Sequence, residues 1–200
     1  IAGEPLWRTL GARTNRVKAY ASGLDYCLSD EDLFNFYRRM AERGIDSGKL
    51  KVGLDLKADL RRLGLMREAL SVASRCPGLM IDPNEYWSPK QAVRYVRQIE
   101  QHFDLIWVEE PARRWDYDGL RQVSRQVRAA VATGENLHNL SQFYPLLAND
   151  AVDIINVWTG HSGVTGCRQV AHMAHVHGVP VTMMNAQANY MAHVAAALPN

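Results

Sequence analysis

Asp82, Glu109 and Glu135 each close an apolar run, and they stand 27 and 26 residues apart. The runs read LMID (79–82), LIWVE (105–109) and AVATGE (130–135), with a stretch of helical periodicity between each and the next. One strand, one helix and two loops take roughly 25 residues, so this interval is the period of a β/α repeat. Parallel strands joined in this way end on the same edge of their sheet, which brings three acids to one edge. Three neighbouring carboxylates repel unless a cation neutralises them, and an all-oxygen donor set suits Mg2+ or Mn2+.

The same alternation runs from about residue 17 onward. Strand-like runs cover 17–23, 49–53, 78–82, 105–110, 130–135, 152–158 and 179–185. Helices are expected at 31–43, 57–74, 88–102, 117–128, 140–148, 163–177 and 187–197. Ser29 or Asp30 caps the first, Gly44 ends it, and Ser88 with Pro89 opens the third. No linker or low-complexity stretch interrupts the rhythm, so residues 17–200 read as one domain and 1–16 as a segment leading into it. Seven β/α units in series imply a parallel sheet, either an open doubly wound sheet or a barrel. An open sheet places its site at one switch point, whereas a barrel gathers residues from the C-terminal ends of consecutive strands. Acids on the third, fourth and fifth strands therefore predict a TIM-type, (β/α)7β-like barrel. A full barrel takes about 250 residues, and the eighth strand has no counterpart here.

Bulk properties exclude several classes of function. A net charge of +2 with no long one-sign block argues against nucleic acid or an anionic membrane as partner. No window approaches the roughly 18 apolar residues of a membrane span. IAGEPLWRTL has neither the basic start nor the apolar stretch of a signal peptide. Cys27, Cys76 and Cys167 are odd in number and scattered, so no disulfide framework is expected and a reducing cytoplasm is the default.

The second strand carries Lys49-Leu50-Lys51, and alternation puts both lysines on one face, the barrel interior. Buried lysines require anions nearby, which the acids and a carboxylate substrate would supply. On the third strand Asp82 and Asn84 share a face. KLKVG, the D-x-N of IDPNEYW, WVEEP, the TGEN strand end and SGVTG resemble, in order and spacing, the motif series of the enolase superfamily. Within it they are similar to the mandelate racemase and muconate lactonizing enzyme group. PLWRTLG (5–11) resembles the segment that enters that group's barrel from an N-terminal capping domain. The resemblance implies Asp82, Glu109 and Glu135 as Mg2+ ligands, Lys51 as the base that removes a proton α to a carboxylate, and Lys49 as a carboxylate-binding neighbour. It also implies a homo-oligomer acting on a small carboxylate.

Two departures from that pattern shape the functional reading. Racemase-type members carry a His after the seventh strand and an Asp after the sixth; here Met184 or Asn185 and Val157 stand there. Cycloisomerase-type members use a Lys after the sixth strand, which Val157 is not either. His161 and His138, in nearby loops, are the candidates for a missing general acid. One competent base fits elimination better than racemization, so the expected activity is an acid-sugar or hydroxy-acid dehydratase, with Asn84 and Asn185 touching substrate. Racemization, epimerization or cycloisomerization is the alternative, and a non-catalytic metal-binding fragment is the rival from another class. His172, His175 and His177 are expected on the exterior, and Glu110 as a structural partner of an arginine in ARRWD.

Overall fold

The computed structural model describes residues 3–23, 25–184 and 190–200. Their strands form one sheet in sequence order: β1 (Ala21–Ser22), β2 (Ser47–Lys51), β3 (Gly78–Asp82), β4 (Trp107–Glu109), β5 (Ala130–Thr133), β6 (Ile154–Val157) and β7 (Val181–Met183). β1 to β4 pair in parallel with their sequence neighbours, as do β5 to β7. A short helix α1 (Leu6–Thr9) precedes them. The strands alternate with α2 (Asp30–Glu42), α3 (Leu56–Leu70), α4 (Pro89–Ile99), α5 (Tyr117–Gln126), α6 (Leu140–Ala148), α7 (Thr159–Val176) and α8 (Tyr190–Ala195). This is the order of a TIM-type α/β barrel, with no eighth strand among the described residues.

Two compact units divide the chain, Ala19–Val131 and Ile1–Lys18 with Ala132–Asn200. In the first, α2 buries Leu33, Tyr37 and Ala41, and α3 buries Leu63, Met66 and Leu70, at helical spacing. These side chains press onto β2 so closely that a Cβ on Gly48 would lie 2.8 Å from the Tyr37 ring and 2.9 Å from the Met66 sulfur. Each buried leucine or methionine among them contributes about 1.5–3 kcal/mol. In the second unit, Phe143, Leu146 and Leu147 of α6 and Cys167, Val170, Ala171 and Ala174 of α7 fill the core. Burial pushes the Cys167 thiol up to about 11, so it is inert packing. Within the 1–16 segment, α1 docks on α8, where the Trp7 amide donates to His193 Nδ1 at 3.3 Å.

Local signals place most helix ends. The Ser29 hydroxyl accepts the Asp32 amide, and Gly44 leaves α2 at φ +87°. Ser88 and Gln91 form a reciprocal cap on α4, with Pro89 in its first turn. The strand readings are corrected in extent. β1 is two residues rather than 17–23, because Ala21 lies opposite Gly48; residues 17–19 would face the turn at Gly44, where no strand exists to pair with. β2 covers 47–51 rather than 49–53, because Gly53 at φ +124° leaves extended geometry. The helix expected at 163–177 is preceded by a helical turn from Thr159, and Gly163 kinks the junction at φ 64°. The segment expected at 187–197 is helical over Tyr190–Ala195.

Candidate active site

Within Ala19–Val131, the C-terminal ends of β2, β3 and β4 carry a buried charge cluster. Lys49 and Lys51 are 4% and 7% exposed, as alternation along β2 requires if both face inward. Both reach Asp82 Oδ2, Lys49 Nζ at 2.9 Å and Lys51 Nζ at 2.5 Å. Lys49 also donates to Glu109 Oε1, so one ammonium bridges two carboxylates. The Trp107 indole N–H donates to Glu109 Oε2 at 3.2 Å, and the Tyr20 ring packs edge-on against Trp107 at 5.2 Å. Burial works against charge on Lys49, but the Glu109 and Asp82 carboxylates outweigh it and hold its pKa above the ordinary lysine value. Burial likewise raises Asp82, and the Lys49 and Lys51 ammoniums more than reverse this, leaving it below its usual value.

The loops beyond β3 and β4 hold these acids in place. Asn84, Glu85 and Glu110 sit at φ 47°, 60° and 44°, conformations that L-residues adopt at a cost of order 1 kcal/mol or more each. In return, the Asn84 amide donates to Asp82 Oδ1 at 2.9 Å and the Glu85 amide to the Glu110 carbonyl at 2.8 Å. The Asn84 side chain lies 3.4 Å from Glu110 Oε2. Arg114, of the ARRWD segment, forks onto Glu85 at 2.6 and 2.8 Å. Asn84 is thus tied to the site's framework at both its backbone and its side chain.

In the unit containing Ala132–Asn200, Glu135 is 8% exposed and follows Gly134 at φ +130°. A Cβ on Gly134 would approach the Asn156 carbonyl at 2.5 Å, so glycine is required to deliver Glu135 to its position. The His138 and His161 rings meet edge-on, with His161 Nδ1 2.9 Å from His138 Nε2, and Trp158 packs against His161 at 4.3 Å. Sequence reading named both histidines but gave no reason for them to touch. Val157 is buried and Met184 half-buried, its amide donating to the Val157 carbonyl. Asn185 lies outside the described residues. His172, His175 and His177 are exposed on and after α7.

Among the described residues no three His, Cys, Asp or Glu side chains stand close enough together to hold a metal ion. The donor chemistry nevertheless fits a hard cation. Asp82 and Glu109 are buried oxygen donors, and they already share one positive charge, that of Lys49. Sequence reading missed Trp107 as an oriented donor. Its i−2 spacing from Glu109, which puts both on one face of β4, was the available signal.

The Enolase C-terminal domain-like family matches residues 32–200. The chain belongs to that family, among the mandelate racemase and muconate lactonizing enzyme-like members of the enolase superfamily. It is 33% identical over 202 residues to the L-talarate/galactarate dehydratase of Salmonella typhimurium, covering 99% of this chain and 49% of that protein. It is 32% identical over 205 residues to the 3,6-anhydro-alpha-L-galactonate cycloisomerase of Streptomyces coelicolor, covering 100% of this chain and 54% of that one. A racemase structure from Streptomyces coelicolor with bound magnesium superposes with a TM-score of 0.88 at 31% identity, covering 98% of this chain and 54% of the other. The chain spans about half the length of the curated relatives it matches.

Proposed function

We propose that this chain carries the proton-abstracting barrel of a Mg2+-dependent dehydratase acting on an acid sugar or related hydroxy acid. The observation that carries the reading is the pair of buried lysines on one face of β2, both on Asp82 and one also on Glu109. Asp82 and Glu109 would hold the cation, with Glu135 the third donor on the sequence reading. When bound, the ion supplies electrostatic stabilisation of the charge that proton removal places on the substrate carboxylate. Lys51 Nζ, once its own proton has left to solvent, takes the α-proton as a neutral amine. Lys49 places a second positive charge beside the substrate carboxylate. His161, against His138, donates the proton with which the β-hydroxyl departs as water, and Asn84 and Asn185 orient the substrate's hydroxyls. The setting is a soluble cytoplasmic homo-oligomer acting on small carboxylates.

The test is α-proton exchange in D2O with galactarate and related diacids, using the longest natural form of the protein with Mg2+. Exchange that Lys51→Ala abolishes, accompanied by loss of water from the substrate, supports a dehydratase. Exchange without loss of water favours the second reading, an isomerase, for which the resemblance to the cycloisomerase speaks. Metal binding with no exchange on any acid tried overturns both and leaves a non-catalytic metal-binding protein.

A further inference from the structure

After Ser22 the first strand leaves β2, and side chains take over the hydrogen bonds it abandons. β1 pairs with β2 only through Ala21 and Ser22, opposite Gly48 and Lys49. On that side of β2 the next backbone groups are the Lys49 carbonyl and the Lys51 amide, and buried backbone groups need partners. Asp25, in a 3-10 turn over Asp25–Cys27, accepts the Lys51 amide at 3.1 Å through Oδ1. The Tyr37 hydroxyl lies 2.7 Å from the Lys49 carbonyl and 2.9 Å from Asp25 Oδ2. Next along, the Tyr26 hydroxyl donates to the Val52 carbonyl. Asp25 is 1% exposed and Tyr37 fully buried. Arg62 of α3 anchors the turn by donating to the Leu28 carbonyl at 2.9 Å and to the Asp25 carbonyl.

A buried acid here is not what core packing alone would select. Burial raises the Asp25 pKa above its ordinary value, and the bonds from Tyr37 and the Lys51 amide only partly offset that. The network falls on the backbone of the two lysines that share Asp82.

We propose that Asp25 and Tyr37 are positioning residues that fix the β2 backbone at Lys49 and Lys51, and so fix where both ammonium groups reach. The inference rests on the base role of Lys51 proposed above. A lysine stem is long and flexible, so its aim is set by where its Cα is held, and a misplacement of about 1 Å at a reacting group costs on the order of 100-fold in rate. The hydrogen count makes the assignment specific. Tyr37 has one proton and two acceptors in reach, while Asp25 must accept the Lys51 amide. An amide at position 25 still accepts from Lys51 and donates a second hydrogen to the Tyr37 oxygen, so Asp25→Asn completes the network. Asp25→Ala and Tyr37→Phe break it.

The experiment uses two readouts on the longest natural form of the protein. One is the hydrogen-exchange rate of the Lys51 backbone amide, which needs no activity. The other is kcat and KM for α-deuterium exchange of galactarate with Mg2+. In Asp25→Ala and Tyr37→Phe the Lys51 amide is expected to exchange at least tenfold faster. kcat is expected to fall at least tenfold with KM within twofold, and Asp25→Asn to restore both readouts to within threefold. Unchanged amide exchange or unchanged kcat in either disruptive variant overturns the inference, as does an Asp25→Asn variant as impaired as Asp25→Ala. If Asp25→Ala does not fold, Tyr37→Phe, which deletes one hydroxyl, carries the same comparison. A wild-type protein inactive on galactarate counts against that substrate in the functional reading, and the amide readout then decides the clamp on its own.

Discussion

The ends of β2, β3 and β4 and the ends of β6 and β7 are built from opposite materials. The first group carries Lys51, Asp82 and Glu109, with Lys49 between the two acids, in one buried hydrogen-bonded cluster. The second carries Val157 and the Met183-Met184 pair, and its imidazoles stand beyond the strands, His138 in the loop after Glu135 and His161 in the first turn of α7. The groups at β2 to β4 are amines set against buried carboxylates. Among the described residues, no second base of equal standing stands on a strand end at β6 or β7. On the proposed function, the contrast favours loss of the β-hydroxyl over return of the proton to the opposite face of the α-carbon.

The largest expected effect tests that asymmetry directly. Lys51→Ala should lower α-proton exchange by about 10²–10⁴-fold, the usual contribution of a positioned base, with Mg2+ affinity by calorimetry changed less than about fivefold. Met184→Ala should leave exchange within about threefold. If the two variants lose comparable activity, the contrast between the strand ends does not describe the chemistry.

Asp82 is the next place to break it. Removing one partner of a buried ionic cluster leaves its counter-charges unpaired, at a cost of about 3–5 kcal/mol. Asp82→Ala should therefore lower the free energy of urea unfolding by that order, through both Lys49 and Lys51. A loss below about 1 kcal/mol would mean the lysines find water or other anions once Asp82 is gone.

His161→Ala should act on the other half of the reaction. If His161 supplies the proton to the departing hydroxyl, the variant keeps α-proton exchange within about threefold and loses dehydration by about tenfold or more. Equal loss of both rates would remove the histidine from the acid role and leave it as packing against Trp158.

How far the site was legible follows from the range of the interactions involved. The β/α rhythm, the strand-end acids and K-x-K depend on spacing along the chain, and spacing survives without coordinates. The barrel order and the placing of Lys49, Lys51 and Asp82 were therefore readable. The extent of β1 was not, because strand length depends on whether a partner lies opposite, and 17–19 face a turn. Asp25 and Tyr37 were invisible for a related reason: they serve backbone groups left over where β1 departs, 26 and 12 residues from their partners. The contact of His138 with His161 spans 23 residues and has no periodic signature.

The last comparison separates two buried acids of the same unit by the sign of their pH dependence. Asp82 is held below its usual pKa by two ammoniums, so its contribution to stability is present at neutral pH and is lost as pH falls. Asp59 of α3 is 4% exposed, and burial pushes it up to about 6 against the bond it accepts from the Gly53 amide at 2.9 Å. Its folded pKa lies above the unfolded value of about 3.9, so its contribution is complete below about pH 4 and disappears as pH rises through 6. Asp59→Asn keeps an acceptor for the Gly53 amide and has no charge to bury. It should match the wild type below pH 4 and exceed it by about 3 kcal/mol above pH 7, measured as urea unfolding free energy across that range. A variant no more stable than wild type at pH 7.5 would show that Asp59 is charged in the folded protein at little cost, and that burial on α3 does not set its titration.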